Sequence, residues 1–354
     1  MTERERVEAL LKRQKPDRVP ILPFASAIGF SGLYNKLSIA EAYNSPEKTL
    51  AAQRKTARDF GWAIIPFFSY ASFGGWEFGG DIKWPSSEFS QAPMITRRPL
   101  ETADDVWKLK KPDLTTAGII PLQIKFYQLS FKDDLDNEPF NIIAFVGGPV
   151  TLAANLCGID NLGKWSIKNK EVVHHLLRIT TEHSIELASY LKSLFGTDRV
   201  LPFCGEATTD NRIISPKFFE QFALPYNKEL QEAMLSMGFR HLFCHICGEQ
   251  NANLPYWAKI PMGDPGIISI GHEIPLSKAA QYFPSDIIMG NLEPAIIQAK
   301  TAEEVYKATR TVVEEGMKIT GGYIFSPGCD VPPLSPVDNM KAMTKAVNDY
   351  GWYK

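Results

Sequence analysis

The chain reads as an α/β protein, a (β/α)8 TIM barrel with a hairpin inserted after its second strand. Three observations predict this. Eight short apolar runs recur along the 354 residues, without the alternation of a half-exposed strand, as parallel strands buried on both faces require. Longer segments of helical spacing lie between them, which is the rhythm of βα units. No GxGxxG or GxxxxGK[ST] phosphate loop follows an early run, although an open doubly wound sheet would want one. A single domain over 1–354 is expected, because barrels often run past about 250 residues as one unit.

The opening MTERERVEALLKRQKPDR is charged and amphipathic, unlike a secretory signal. Val19–Phe24 is the first apolar run and Trp62–Phe68 the second, with a helix expected over Pro46–Asp59 between them. Around the second run the chain is dense in aromatics: Phe60, Trp62, Phe67, Phe68, Tyr70, Phe73, Trp76 and Phe78. Residues 79–98 then break the rhythm and read as a polar hairpin. Asn141–Val146 and Val200–Cys204 enclose a helix over Val172–Leu194. A helix over Pro216–Met237 leads to His241–His245. Gly266–Ile270 and Asp286–Met289 follow, then a helix over Ala302–Met317, the last run Gly322–Phe325, and a helix over Pro336–Asn348. Ser215-Pro216 and Ser335-Pro336 each read as an N-cap with proline at the first helical position.

Charge excludes some functions. Lys plus Arg is 38 against 40 Asp plus Glu, a net charge of −2, which lacks the basic footprint of a nucleic-acid binder. No apolar run reaches the roughly 18 residues of a membrane span. A cytoplasmic protein that meets neither nucleic acid nor membrane is expected. Five cysteines are too few for a disulfide scaffold.

In a barrel, reactive groups collect where the strands end. Those ends read Cys204-Gly205-Glu206, Cys244-His245-Ile246-Cys247-Gly248, Gly271-His272-Glu273, Gly290-Asn291-Leu292-Glu293-Pro294 and Pro327-Gly328-Cys329-Asp330. His245 and Cys247 are two apart, so an extended chain points both to one face. Cys329 would join them at the mouth from the last run. One imidazole and two thiolates are a soft set suited to zinc, and three protein ligands leave a fourth position open. An isolated HxC is also what ordinary core packing produces, so the third ligand rests on the barrel. Glu206 could fill the fourth position or exchange a proton at a leaving oxygen, or simply cap a surface helix. His272 with Glu273 could act as an acid–base pair or be structural. Asn291 could touch substrate or support a ligand. Asp210 and Asn211 read as turn or cap residues, Cys204 and Cys244 as core, and His174, His175 and His183 as solvated helix positions.

The stretches Lys15-Pro16-Asp17-Arg18-Val19-Pro20 and Gly290-Asn291-Leu292-Glu293-Pro294 resemble segments of the uroporphyrinogen decarboxylase-like barrels. His245-Ile246-Cys247-Gly248 with Pro327-Gly328-Cys329 is similar to that superfamily's zinc-dependent, corrinoid-linked methyltransferase branch. The resemblance implies zinc on His245, Cys247 and Cys329, with a corrinoid (cobalamin) carried by a separate corrinoid protein. It also implies a small-molecule methyl donor or acceptor and a mouth open enough for the corrinoid to dock. A decarboxylase is not expected. Ala25–Tyr34 (ASAIGFSGLY) holds no arginine to grip porphyrin carboxylates, and Phe67–Phe73 (FFSYASF) holds no acid. The expected reaction is O-demethylation of a methoxylated aromatic compound, with Tyr70, Trp76 and Phe68 as pocket walls. Transfer from the corrinoid to a small thiol such as coenzyme M is the alternative, and the aromatics are then ordinary packing. A homodimer is compatible with the sequence but not required by it.

Overall fold

The computed structural model describes all residues except 88, 90, 91 and 133–138. Six parallel strands pair strictly in chain order: β3 (Ile142–Phe145), β4 (Val200–Glu206), β5 (Phe243–Ile246), β6 (Ile267–Ile270), β7 (Ile287–Leu292) and β8 (Tyr323–Pro327). Almost every residue in them is buried, because helices cover one face and the barrel interior the other. This is the barrel the sequence predicts.

The first two apolar runs differ from expectation. Neither forms a regular strand, and each holds only an isolated parallel bridge, Ile21 to Phe325 and Phe67 to Ile143. The cause is proline, which has no N–H to give to a ladder. Pro20 and Pro23 flank Ile21, and Pro66 precedes Phe67. What pairing remains still completes the ring. Phe325 N–H donates to the Pro20 carbonyl at 2.9 Å, and the Phe325 carbonyl accepts from Leu22 N–H at 3.0 Å. Ala63 N–H reaches the Ile21 carbonyl at 2.8 Å, and Ile143 N–H the Pro66 carbonyl at 2.9 Å.

The hairpin stands where it was expected, as β1 (Asp81–Lys83) against β2 (Met94–Arg97). The predicted helices also fall near their bounds, as α1 (Pro46–Phe60), α3 (Lys170–Phe195), α4 (Leu224–Ser236), α5 (Ala302–Gly316) and α6 (Val337–Tyr350), and a helix that was not predicted, α2 (Pro149–Cys157), follows β3. The helix predicted over Pro216–Met237 is interrupted, with a π-helical turn at Phe219–Ala223 before α4. Ser215 is a true N-cap, accepting from Phe218 N–H at 3.2 Å. Ser335 is not. Pro336 itself takes the extended cap conformation, one residue later than expected, and the Ser335 hydroxyl is buried without a partner.

Candidate metal centre and pocket

β5 fixes two of the three expected ligands. His245 lies inside the strand and Cys247 follows its end, so the two side chains share a face as their spacing requires. β8 ends at Pro327, and Cys329 comes two residues later. One ligand atom from each of His245, Cys247 and Cys329 lies within 4.8 Å of the others. Sequence positions far apart are therefore brought to one point by the barrel.

The donor set fits zinc on more than proximity. His245 is 5% exposed, and its Nε2 is buried with no partner. Its other nitrogen, Nδ1, meets the Ser269 hydroxyl of β6 at 2.9 Å. That bond sets the ring orientation and leaves Nε2 as the free donor atom, the arrangement typical of ligating histidines. Phe24 packs against the other side of the imidazole, with ring centres 4.2 Å apart. Of the two sulfurs, Cys329 is pulled well below the usual thiol range by the Cys247 thiol and His245 beside it, and Cys247 is pushed up by the same sharing. A pair holding one thiolate already is suited to a divalent soft cation. No fourth His, Cys, Asp or Glu joins the three among the described residues.

The three candidate ligands lie in the wall of a cavity of about 460 Å³ at the mouth. Phe24, Phe67, Phe145, Phe203 and Tyr70 supply most of its aromatic surface. The hairpin supplies the outer side through Pro93 and Met94. Among the described lining residues there is no lysine or arginine.

The remaining expected site residues divide. Tyr70 lines the cavity, its hydroxyl anchored on the buried Glu77 carboxylate at 3.2 Å. Trp76 does not line it; the indole packs edge-on to Trp84 with ring centres 6.0 Å apart. Phe68 is fully buried away from it, stacked on Phe126. Strand alternation turns Phe67 inward in its place. Asn291 donates to the carbonyls of Gly271 and Ile274, at 3.3 and 2.7 Å, and so ties β7 to the loop after β6. His272 has a side chain 40% exposed beside Glu273, and neither lines the cavity.

Glu206 stands apart from the three ligands. Its side chain is fully buried and accepts four hydrogen bonds: Val150 N–H at 2.9 Å, Thr151 N–H at 2.8 Å, Thr151 Oγ1 at 2.7 Å and Asn227 Nδ2 at 3.0 Å. Both oxygens are engaged at the N-terminus of α2, where orphan N–H groups and the helix dipole favour an anion. Neither oxygen is left to ligate a metal or reach a leaving group. The helix-capping alternative describes its place, except that the cap is interior. His183 also departs from expectation. It is fully buried rather than solvated, packed between Phe73 and Phe78, and its burial lowers the imidazole to about 4. Cys204 and Cys244 are buried core, as predicted.

A closed parallel barrel with a histidine and two cysteines at its mouth is a class within which families can be told apart by comparison. The uroporphyrinogen decarboxylase (URO-D) family model matches residues 2–350, and the chain belongs to that family. It is 27% identical over 364 residues to the methylcobamide:CoM methyltransferase MtbA of Methanosarcina acetivorans, covering 99% of this chain and 98% of the relative. It is 25% identical over 355 residues to the methylcobamide:CoM methyltransferase MtaA of Methanosarcina barkeri, with the same coverage. A uroporphyrinogen decarboxylase of Anaeromyxobacter dehalogenans is 23% identical over 97% of the chain and 98% of its own length. A methyltransferase from Methanosarcina mazei shares the fold with a TM-score of 0.82 at 21% identity, over 99% of both chains. The family's relatives of this chain thus include proteins named as methylcobamide:CoM methyltransferases and one named as a decarboxylase.

Proposed function

We propose that the protein moves a methyl group between the cobalt of a corrinoid protein and a sulfur or oxygen atom of a small molecule, at a zinc ion held by His245, Cys247 and Cys329. The observation that carries this is the convergence of one orphaned imidazole nitrogen and two sulfurs within 4.8 Å at an open mouth. Zinc bound there would hold a thiol as thiolate, or act as a Lewis acid on an ether oxygen. The chain's own residues do the rest. Ser269 fixes the imidazole. Phe24 and Phe203 keep water from the inner wall. The open mouth admits a partner-borne corrin.

Two forms of the reaction remain, each with its own support. Transfer to a thiol is the reaction in the names of the methanogen relatives. Demethylation of a methoxylated aromatic is favoured by the ring-lined cavity, with Tyr70 in its wall. The decisive experiment is a methyl-transfer assay on zinc-loaded protein. Free cob(I)alamin is offered with methoxyarenes, and methylcobalamin with thiols. Transfer in either direction that disappears on zinc removal and returns on reloading is the expected result. Transfer that survives complete zinc removal, or a preparation that takes up well under one zinc per chain after supplementation, overturns it.

A further inference from the structure

The cavity contains polar groups that the metal does not explain. Asp330 lines it, immediately after Cys329. Its carboxyl group lies beside the Val331 N–H and the Tyr43 phenol, which also lines the cavity. Its Oδ1 is buried and has no hydrogen-bond partner. Ser69, from the loop end of the second apolar run, lines the same cavity with a buried hydroxyl that also lacks one. In the ring order these groups come from adjacent sectors: Asp330 after β8, Tyr43 after the first run and Ser69 after the second. A buried polar atom without a partner costs on the order of 1–3 kcal/mol, so two in one cavity mark where a ligand's polar end belongs.

The sign of that end follows from the lining. A sulfonate or carboxylate brought into a cavity with no lysine or arginine among its described lining residues would lose its hydration without a counter-charge there, and would face a carboxyl group. A hydroxyl loses nothing, since it donates to Oδ1 of Asp330. Resting on the methyl-transfer reading above, we propose that Asp330, with Tyr43 and Ser69, is a specificity-determining site that selects an uncharged, hydroxyl-bearing substrate and rejects anionic ones. The protein would then differ in substrate from relatives whose names carry coenzyme M, a sulfonate.

Thiols of equal length make the test. Cobalt(II)-substituted protein reports thiol binding through its sulfur-to-metal absorption, without turnover. 2-Mercaptoethanol, ethanethiol and 2-mercaptoethanesulfonate are titrated in turn. The expected order has 2-mercaptoethanol binding about tenfold tighter than either of the others, which corresponds to one hydrogen bond of about 1.4 kcal/mol. Asp330→Ala should bring 2-mercaptoethanol and ethanethiol to within about twofold while cobalt content stays at one per chain; Asp330→Asn, which keeps the acceptor, should retain much of the hydroxyl preference. Sulfonate binding equal to or tighter than the hydroxyl thiol in the wild type overturns the proposal, and so does an unchanged order in Asp330→Ala. If Asp330→Ala fails to take up cobalt, the wild-type comparison of 2-mercaptoethanol with ethanethiol decides alone. Loss of all methyl transfer with the selectivity intact would instead count against the reaction proposed above and leave this site standing.

Discussion

At the scale of single residues, the proposed metal centre depends on atoms that sequence spacing could name and on one that it could not. Cys329→Ala should lower zinc affinity by more than tenfold and abolish methyl transfer while the melting temperature stays within a few degrees; full zinc occupancy by metal analysis would remove Cys329 as a ligand. Ser269 carries no such signal, being one polar residue inside an apolar run, yet it holds Nδ1 of His245. Groups that orient ligating histidines typically change metal affinity 10–100-fold when removed. Ser269→Ala is expected to weaken zinc binding within that range, as measured by competition with a chromophoric chelator. Glu206 teaches the reverse. Its place at the end of β4 suggested chemistry, but its four donors make it a structural anchor. Glu206→Gln puts an amide N–H against N–H donors and should cost about 2 kcal/mol. Thermal melts should show this, with activity per folded molecule changing less than twofold. A large loss of activity without loss of stability would return it to the reaction.

Elements explain which residues were legible. The strand-end motifs could be read because a parallel barrel repeats one pattern eight times, and a run such as Gly322–Phe325 fixes where the tail bearing Cys329 begins. Proline hid the first two strands from regular pairing without removing them from the ring. Substrate walls were harder. An aromatic cluster shows that rings will pack but not which way they face. Phe67 and Phe68 are neighbours, and alternation alone sends one to the cavity and the other to Phe126. His183 was misplaced for a similar reason. On α3 its polarity suggested solvent, but the helix face it occupies is the one Phe73 and Phe78 cover. That burial has a consequence for pH. The folded imidazole titrates near 4 and the unfolded one near 6.5, so the unfolded chain binds the proton first as pH falls. Stability should therefore decline from about pH 6.5 down to about 4, by up to roughly 3 kcal/mol. His183→Phe should flatten that part of the profile in denaturant melts, and an unchanged profile would assign the acid sensitivity elsewhere.

For the whole molecule, the ligands' origins decide whether the metal builds the fold or only uses it. Structural zinc sites are usually closed by four protein ligands and often fold with the metal. Here the three proposed ligands sit on a ring already closed by backbone hydrogen bonds and by a core running through its strands. The barrel holds His245 and Cys329 in place on two strands that are not neighbours. Zinc should then add only its binding linkage to stability, about 4 kcal/mol at a thousandfold excess over Kd. For a chain of this size that is a rise of about 5 °C in melting temperature. Stripping the metal with a chelator is thus expected to leave the far-ultraviolet circular dichroism unchanged, lower the melting temperature by that small step, and remove methyl transfer. Adding zinc back should restore both. Collapse of the spectrum on chelation would make the centre a structural clamp, and a melting temperature indifferent to zinc would mean that the three side chains hold no metal in the folded protein.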